Sequence, residues 1–172
     1  MTPLVFLHGV GGGHHAWELQ LPYFGGLGYP SHAWDQPGYG HSPIVEPYNL
    51  VLVSASLARL IESLSDEPVV LVGHSMGGMI AQETYTRHPQ LVKAMALCFT
   101  SPAFAGGSSD FTRQFIAARI GPLDQGKTMA DIAAQPIPTM GSHSKLAEQI
   151  MAGVPPETYR KAVHLLTTFD RR

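Results

Sequence analysis

The segment Gly73-His74-Ser75-Met76-Gly77-Gly78, set directly behind the apolar run Pro68-Val69-Val70-Leu71-Val72, constrains this chain more than any other stretch. The apolar run reads as a short buried strand. The residues Met76, Met79, Ile80 and Glu83, closed by His88-Pro89, keep the spacing of a helix. The chain must therefore turn sharply between the two, with Ser75 at the apex. Such a turn holds its central residue at positive φ and draws the backbone two residues to either side so close that only glycine fits. Gly73 and Gly77 occupy those positions, and Gly78 lets the following helix approach the sheet. Ser75 is left at a helix N-terminus, where the dipole and the free N–H of Met76 favour developing negative charge. A G-x-S-x-G spacing in a strand–turn–helix setting is the arrangement of an activated serine nucleophile.

Two other strand ends carry signatures. Leu4-Val5-Phe6-Leu7 runs into His8-Gly9-Val10-Gly11-Gly12-Gly13, a buried strand followed by a loop able to present backbone N–H groups. A phosphate-cradling loop is excluded, since no Lys-Ser or Lys-Thr follows and the G-x-G-x-x-G spacing does not fit. A second strand, Ser31 to Trp34, ends in the turn-rich stretch Asp35-Gln36-Pro37-Gly38-Tyr39-Gly40-His41-Ser42.

Periodicity supplies the remaining elements. Helices are expected near His14–Phe24 and Leu50–Leu64, where Leu50, Val53, Leu57, Leu60, Ile61 and Leu64 form a stripe of period 3.6. Strand Val69–Gly73, helix Met76–Arg87 and strand Val92–Phe99 follow. Strands alternating with helices predict an α/β fold with a doubly wound, mostly parallel sheet and right-handed crossovers.

The three strand ends, in this order and spanning roughly Leu4 to Phe99, resemble the α/β-hydrolase superfamily. The resemblance implies that Ser75 is the acyl-accepting nucleophile and that the backbone N–H groups of Met76 and Val10 form the oxyanion hole. It also implies that His8 and Gly9 shape the loop, that Asp35 braces its turn, and that His74 packs beneath the elbow. Residues 1–100 would be the N-terminal part of the hydrolase core. Serine in place of aspartate argues against the haloalkane dehalogenase and epoxide hydrolase branches. Carboxylic esters and lactones are the expected substrates, with cleavage of a C–C bond beside a ketone left open.

After Thr100 the texture changes to short helical patterns separated by glycine and proline. Helices are expected near Asp110–Ile120, Thr128–Ala134, Ser144–Met151 and Pro156–Phe169, with no strand. Residues 101–172 resemble the helical cap inserted in this superfamily. Phe104, Phe111, Phe115, Met129 and Met140 are its apolar set, residues more suited to packing than to substrate contact.

In the family the triad acid and histidine follow the cap, and neither the acid strand nor the histidine loop is found in these 172 residues. Three expectations follow. The acid and histidine come from a complementing C-terminal segment or an oligomer partner; or the chain is a catalytically incomplete module binding a small apolar ligand or a partner; or a histidine already present, such as His143 or His164, is recruited. The strand Val92–Phe99 would expose an apolar edge with no bulge, proline or inward charge, which favours the first.

Composition sets outer bounds. With 44% hydrophobic residues, 14% charged and a formal charge of −2, neither nucleic acid nor an anionic membrane surface is an expected partner. A single cysteine, Cys98, excludes an internal disulfide and reads as a buried thiol. No stretch reaches membrane-spanning length and no signal pattern opens the chain, so a cytoplasmic protein is expected. No His/Cys/Asp cluster has metal-ligand spacing, and the implied chemistry calls for no cofactor.

Overall fold

The structure is a computed structural model and describes residues 1–104, 109–135 and 145–172. Four parallel strands, β1 (Leu4–Leu7), β2 (Ser31–Trp34), β3 (Val69–His74) and β4 (Val92–Cys98), form one sheet in the order β2-β1-β3-β4. Leu7 is in register with Trp34 on one side and Gly73 on the other, so the three motif-bearing loops leave the sheet at the same edge. The winding direction reverses between β1 and β3. In an open α/β sheet that reversal opens a crevice at the carboxyl ends of the strands.

Both faces of β1 are covered, which is why it is apolar throughout. Phe6 meets the rings of Trp17 and Phe24 at 5.1 and 5.9 Å. Val5 and Leu7, alternating to the opposite face, are fully buried in the main core cluster. Helix α2 (Leu50–Leu64) starts at Asn49, whose side chain accepts the Leu52 N–H at 2.9 Å, and it buries Val53, Leu57 and Ile61 as its stripe predicts. Helix α3 (Met76–Arg87) packs on β3 and against α2.

The expected helix near His14–Phe24 is two pieces, a 3₁₀ turn at His14–Trp17 and α1 (Gln20–Gly26). Pro22 explains the break: it has no N–H to give the Glu18 carbonyl, so a helix begun at His14 could not run through it. The last strand stops at Cys98 rather than Phe99, whose φ of 50° takes the chain out of the sheet. Cys98 is half-buried, not buried, because β4 is an edge strand. That edge also has a bulge where none was expected: Val69 pairs with Val92 but Val70 pairs with Ala94, leaving Lys93 over. Beyond the bulge, Ala94, Ala96 and Leu97 are exposed.

The segment after β4 is helical where described: α4 (Ser109–Asp124), α5 (Met129–Ala133), α6 (Lys145–Ala152) and α7 (Pro156–Thr167). Helix α4 continues past Ile120 through Pro122. Thr128 and Asp131 form a capping box ahead of α5. Helix α7 buries Tyr159, Ala162, Val163 and Leu166, and Thr158 donates to the Gly38 carbonyl at 3.0 Å, tying this segment to the loop after β2. The two ends of the segment also meet. An antiparallel bridge joins Ala103 to Asp170, with Phe104 N–H donating to Phe169 O at 2.9 Å and Arg171 N–H to Pro102 O at 2.7 Å. So short a pairing has no sequence signal, since it depends on two distant segments being brought together. The same approach sets Arg171 against Glu83, a fully buried carboxylate on α3 that Arg87 also pairs. No helix among the described residues is long and apolar enough to cross a membrane.

Candidate active site

Ser75 sits between β3 and α3 with φ 53° and ψ −120°, a left-handed conformation that an L-residue adopts only under constraint. The constraint is visible in the glycines around it. A Cβ on Gly77 would lie 2.2 Å from the Leu7 carbonyl oxygen, and one on Gly73 would lie 2.6 Å from Gly78 Cα. Backbone stands against backbone at both points, so neither contact could relax by moving a side chain. At Gly78 a Cβ would meet Thr100 Cγ2 at 2.6 Å, which fixes how closely α3 approaches the end of β4. Ser75 N–H donates to Cys98 O at 2.9 Å, so β4 helps hold the turn. Although Ser75 is the residue before the first helical turn, its side chain does not cap the helix. Among the described residues its hydroxyl has no hydrogen-bond partner, and the N–H groups of Met76 and Val10 donate to none.

The loop after β1 lies beside this serine. A Cβ on Gly9 would be 3.2 Å from Ser75 Cβ and from His74 Nδ1. Gly12 N–H donates to Gly9 O at 2.9 Å, which makes Gly9–Gly12 a tight turn with Val10 and Gly11 at its centre. His8 is 1% exposed and underpins the turn: its Nδ1–H meets Gly9 O at 2.8 Å, while its Nε2 accepts the Gln36 N–H at 3.2 Å. Burial pushes its imidazole down to about 4, so it stays neutral and both ring nitrogens are engaged. Asp35 braces the far side of the loop, accepting the His14 N–H at 2.8 Å and facing His14 Nδ1 at 2.7 Å. From above, Ile150 and Met151 of α6 reach the same glycines, with Met151 Cγ and Sδ 3.2 Å from where a Cβ on Gly11 would stand.

His74 is half-buried against Gly9 and the Phe99 ring, 6.0 Å between centroids, and burial lowers its pKa. The Phe99 ring is itself 90% exposed. Of the expected apolar set, Phe104, Phe111 and Phe115 form one ring cluster, Met129 is buried in the core, and Met140 lies outside the described residues. Of the histidines considered for recruitment, His143 lies outside the described residues and His164 is exposed near the end of α7. No cluster of three or more metal-ligating side chains occurs among the described residues.

Sequence reasoning missed Tyr39, Gln36 and Met151 as neighbours of the glycine loop. Tyr39 and Gln36 stand in the motif after β2, but nothing in that motif says which residues face β1. Met151 comes from a helix far along the chain and has no local signal.

Residues 2–122, well over half of the chain, match the alpha/beta hydrolase fold family. A protein of Mycobacterium tuberculosis that bears the name of a non-heme bromoperoxidase, BpoC, is 37% identical over 114 residues, which are 66% of this chain and 42% of that protein. The esterase Rv0045c of the same organism is 33% identical over 113 residues, 64% of this chain and 37% of its own length. Among solved structures, a carboxylesterase study of Nitrososphaera gargenis superposes with a TM-score of 0.82 at 20% identity, covering 98% of this chain and 64% of that one. This chain thus spans about two fifths of the length of these relatives and less than two thirds of that structure. The matched residues include the strained serine, its flanking glycines and the β1 loop, and the chain belongs to the α/β-hydrolase family.

Proposed function

We propose that this chain carries the nucleophile half of a serine hydrolase acting on a carboxylic ester or lactone. The observation that carries the reading is Ser75 itself: a positive-φ serine with an unengaged hydroxyl, at the N-terminus of α3 and at the crevice between β1 and β3. Glycine reaches that φ freely, whereas serine holds it only at a cost in strain. Esterases among the relatives support the substrate class, a small molecule with an ester carbonyl.

In this reading Ser75 Oγ attacks the carbonyl carbon, and the N–H groups of Met76 and Val10 take up the negative charge on the carbonyl oxygen. Each such donor is worth on the order of 10²–10³ in kcat. The tetrahedral species expels the alcohol, or opens the lactone, and leaves an acyl group on Ser75 for water to remove. The proton of Ser75 must go to a base. No histidine among the described residues hydrogen-bonds Ser75, and His8 and His14 are engaged with Gln36 and Asp35. In this reading the histidine and its acid come from a segment that pairs beside β4, on the side that has no strand neighbour among the described residues. Residues 101–172 then act as the cap over the crevice, with Met151 against its glycine loop. A catalytically incomplete module that binds a small apolar ligand in the same crevice is the competing reading.

A fluorophosphonate probe separates the two. Covalent labelling at Ser75 that is lost in Ser75→Ala supports the hydrolase. Labelling that persists in Ser75→Ala refutes the nucleophile assignment, and tight binding of a small ester without labelling or turnover once the histidine-bearing segment is restored favours the binding module.

A further inference from the structure

The loop that would receive the oxyanion is built from glycines and should by itself be loose. Gly9, Gly11, Gly12 and Gly13 surround Val10, and the Gly9–Gly12 turn is closed by a single backbone hydrogen bond. The central peptide of such a turn, here Val10–Gly11, has two orientations related by a flip of the amide plane. The flipped, type II form needs positive φ at the third residue, and glycine supplies that at no steric cost. Gly11 is not in the left-handed region, so the structure has taken the unflipped form at a position where the sequence leaves both open.

One side chain accounts for the choice. Tyr39 is 1% exposed and donates its hydroxyl to the Val10 carbonyl at 2.7 Å. Its ring is fixed from two directions: it meets the His8 ring edge-on at 4.6 Å, and its own backbone is held by Tyr39 N–H to Gln36 O and Ser42 N–H to Tyr39 O, both 2.9 Å. His8 in turn holds Gly9, the residue before Val10. Flipping the Val10–Gly11 peptide would strand a buried phenol hydroxyl without its acceptor. It would also swing a carbonyl oxygen out of the core beside the Val10 N–H, placing an acceptor next to the charge that N–H is meant to meet.

We propose that Tyr39 is a positioning residue for the oxyanion hole: its hydroxyl locks the Val10–Gly11 peptide with the carbonyl turned into the core, leaving only donors on the Ser75 side of the loop. The proposal rests on the reading of Val10 as an oxyanion donor. It assigns to Tyr39 no contact with substrate.

The test compares Tyr39→Phe, which keeps the ring and its edge-on contact with His8, with Tyr48→Phe, which removes a similar hydroxyl-to-carbonyl bond, to Pro37 O at 3.1 Å in the loop after β2. Two readouts are taken on the full chain: amide hydrogen exchange at Val10, Gly11 and Gly12, and the rate at which a fluorophosphonate phosphonylates Ser75. Tyr39→Phe should speed exchange at Gly12, whose N–H closes the turn on Gly9 O, and slow phosphonylation about tenfold, less than the roughly 10²–10³ lost with a whole oxyanion donor because the flip screens the Val10 N–H without removing it. Tyr48→Phe should do neither. Adding Gly11→Ala to Tyr39→Phe should restore the rate, because alanine disfavours the flipped form and its Cβ meets only the flexible Met151 side chain at 3.2 Å. If Tyr39→Phe matches Tyr48→Phe in both readouts, or loosens the loop without slowing phosphonylation, or gains nothing from Gly11→Ala, the proposal is overturned. Labelling that survives Ser75→Ala brings down the nucleophile reading instead, and is recognised by being independent of Tyr39. Should Tyr39→Phe fold poorly, Gly11→Ala alone still tests the idea: slower exchange at Gly12, as alanine disfavours the flipped form, supports it, and unchanged or faster exchange there overturns it.

Discussion

Replacing Ser75 by glycine should stabilise the protein, while replacing it by alanine should not. The magnitude follows from the backbone. At φ 53° and ψ −120° a residue with a Cβ sits in a sparsely populated region, at a cost on the order of 1–3 kcal/mol. Glycine relieves that strain but loses more chain entropy on folding, about 0.5–1 kcal/mol. The net gain for Ser75→Gly is therefore about 1 kcal/mol, which for a chain of this size is a rise of roughly 2–4 °C in Tm. Alanine keeps the Cβ and hence the strain. Because the Ser75 hydroxyl has no hydrogen-bond partner among the described residues, its loss in Ser75→Ala should change stability little. Equilibrium urea unfolding of the parent and both variants, with thermal scans as a second measure, checks this. Both variants should lose fluorophosphonate labelling, but only the glycine variant should gain stability. Equal stability of the two variants would show that the turn is not strained at this residue, and the argument that strain is kept here for chemistry would fail.

The neighbouring glycine should behave in the opposite way. Gly77→Ala places a Cβ 2.2 Å from the Leu7 carbonyl oxygen, and with backbone on both sides it should destabilise by about 3 kcal/mol, read by the same urea curves. His8 predicts an acid-side slope. Its folded value of about 4 lies below the value of about 6.5 of the unfolded chain. The unfolded state therefore takes the proton first, and stability that is full above pH 6.5 is lost as pH falls towards 4, to a total on the order of 3 kcal/mol. Unfolding curves between pH 7 and pH 4 should show this slope, and His8→Gln should flatten it. The side of β4 that has no strand neighbour among the described residues predicts concentration-dependent association in light scattering, and a charge at an exposed position on it, as in Ala96→Lys, should reduce that association. A chain that stays monomeric at every concentration would show that the edge needs no partner.

Much of this protein could be read from local sequence, and the reason is that local sterics decide it. The run before Gly73 can only be a buried strand, the residues after Ser75 only a helix, and the turn between them tolerates only glycine at its flanks. The stripe on α2 and the order of strands likewise follow from short-range periodicity. Where a local rule was overlooked, the expectation failed for a local reason, as with Pro22 dividing the helix expected near His14–Phe24.

Other features have no local cause. Glu83 is a periodic helix position whose burial is possible only because Arg171, far along the chain, comes back to pair it. Lys93 is left out of the β3–β4 ladder by the register of two strands, and Cys98 is half-exposed because β4 lies at the edge rather than the centre of the sheet. The contact of Met151 with Gly11, and the hydroxyl of Tyr39 on the Val10 carbonyl, join residues from separate loops and helices. The sequence alone thus determined the fold type and the serine at its sharpest turn, since steric exclusion acts between residues a few positions apart. What surrounds that serine, and which peptide orientation the glycine loop adopts, was decided only by tertiary packing, because glycine leaves those choices open and only a distant side chain can close them.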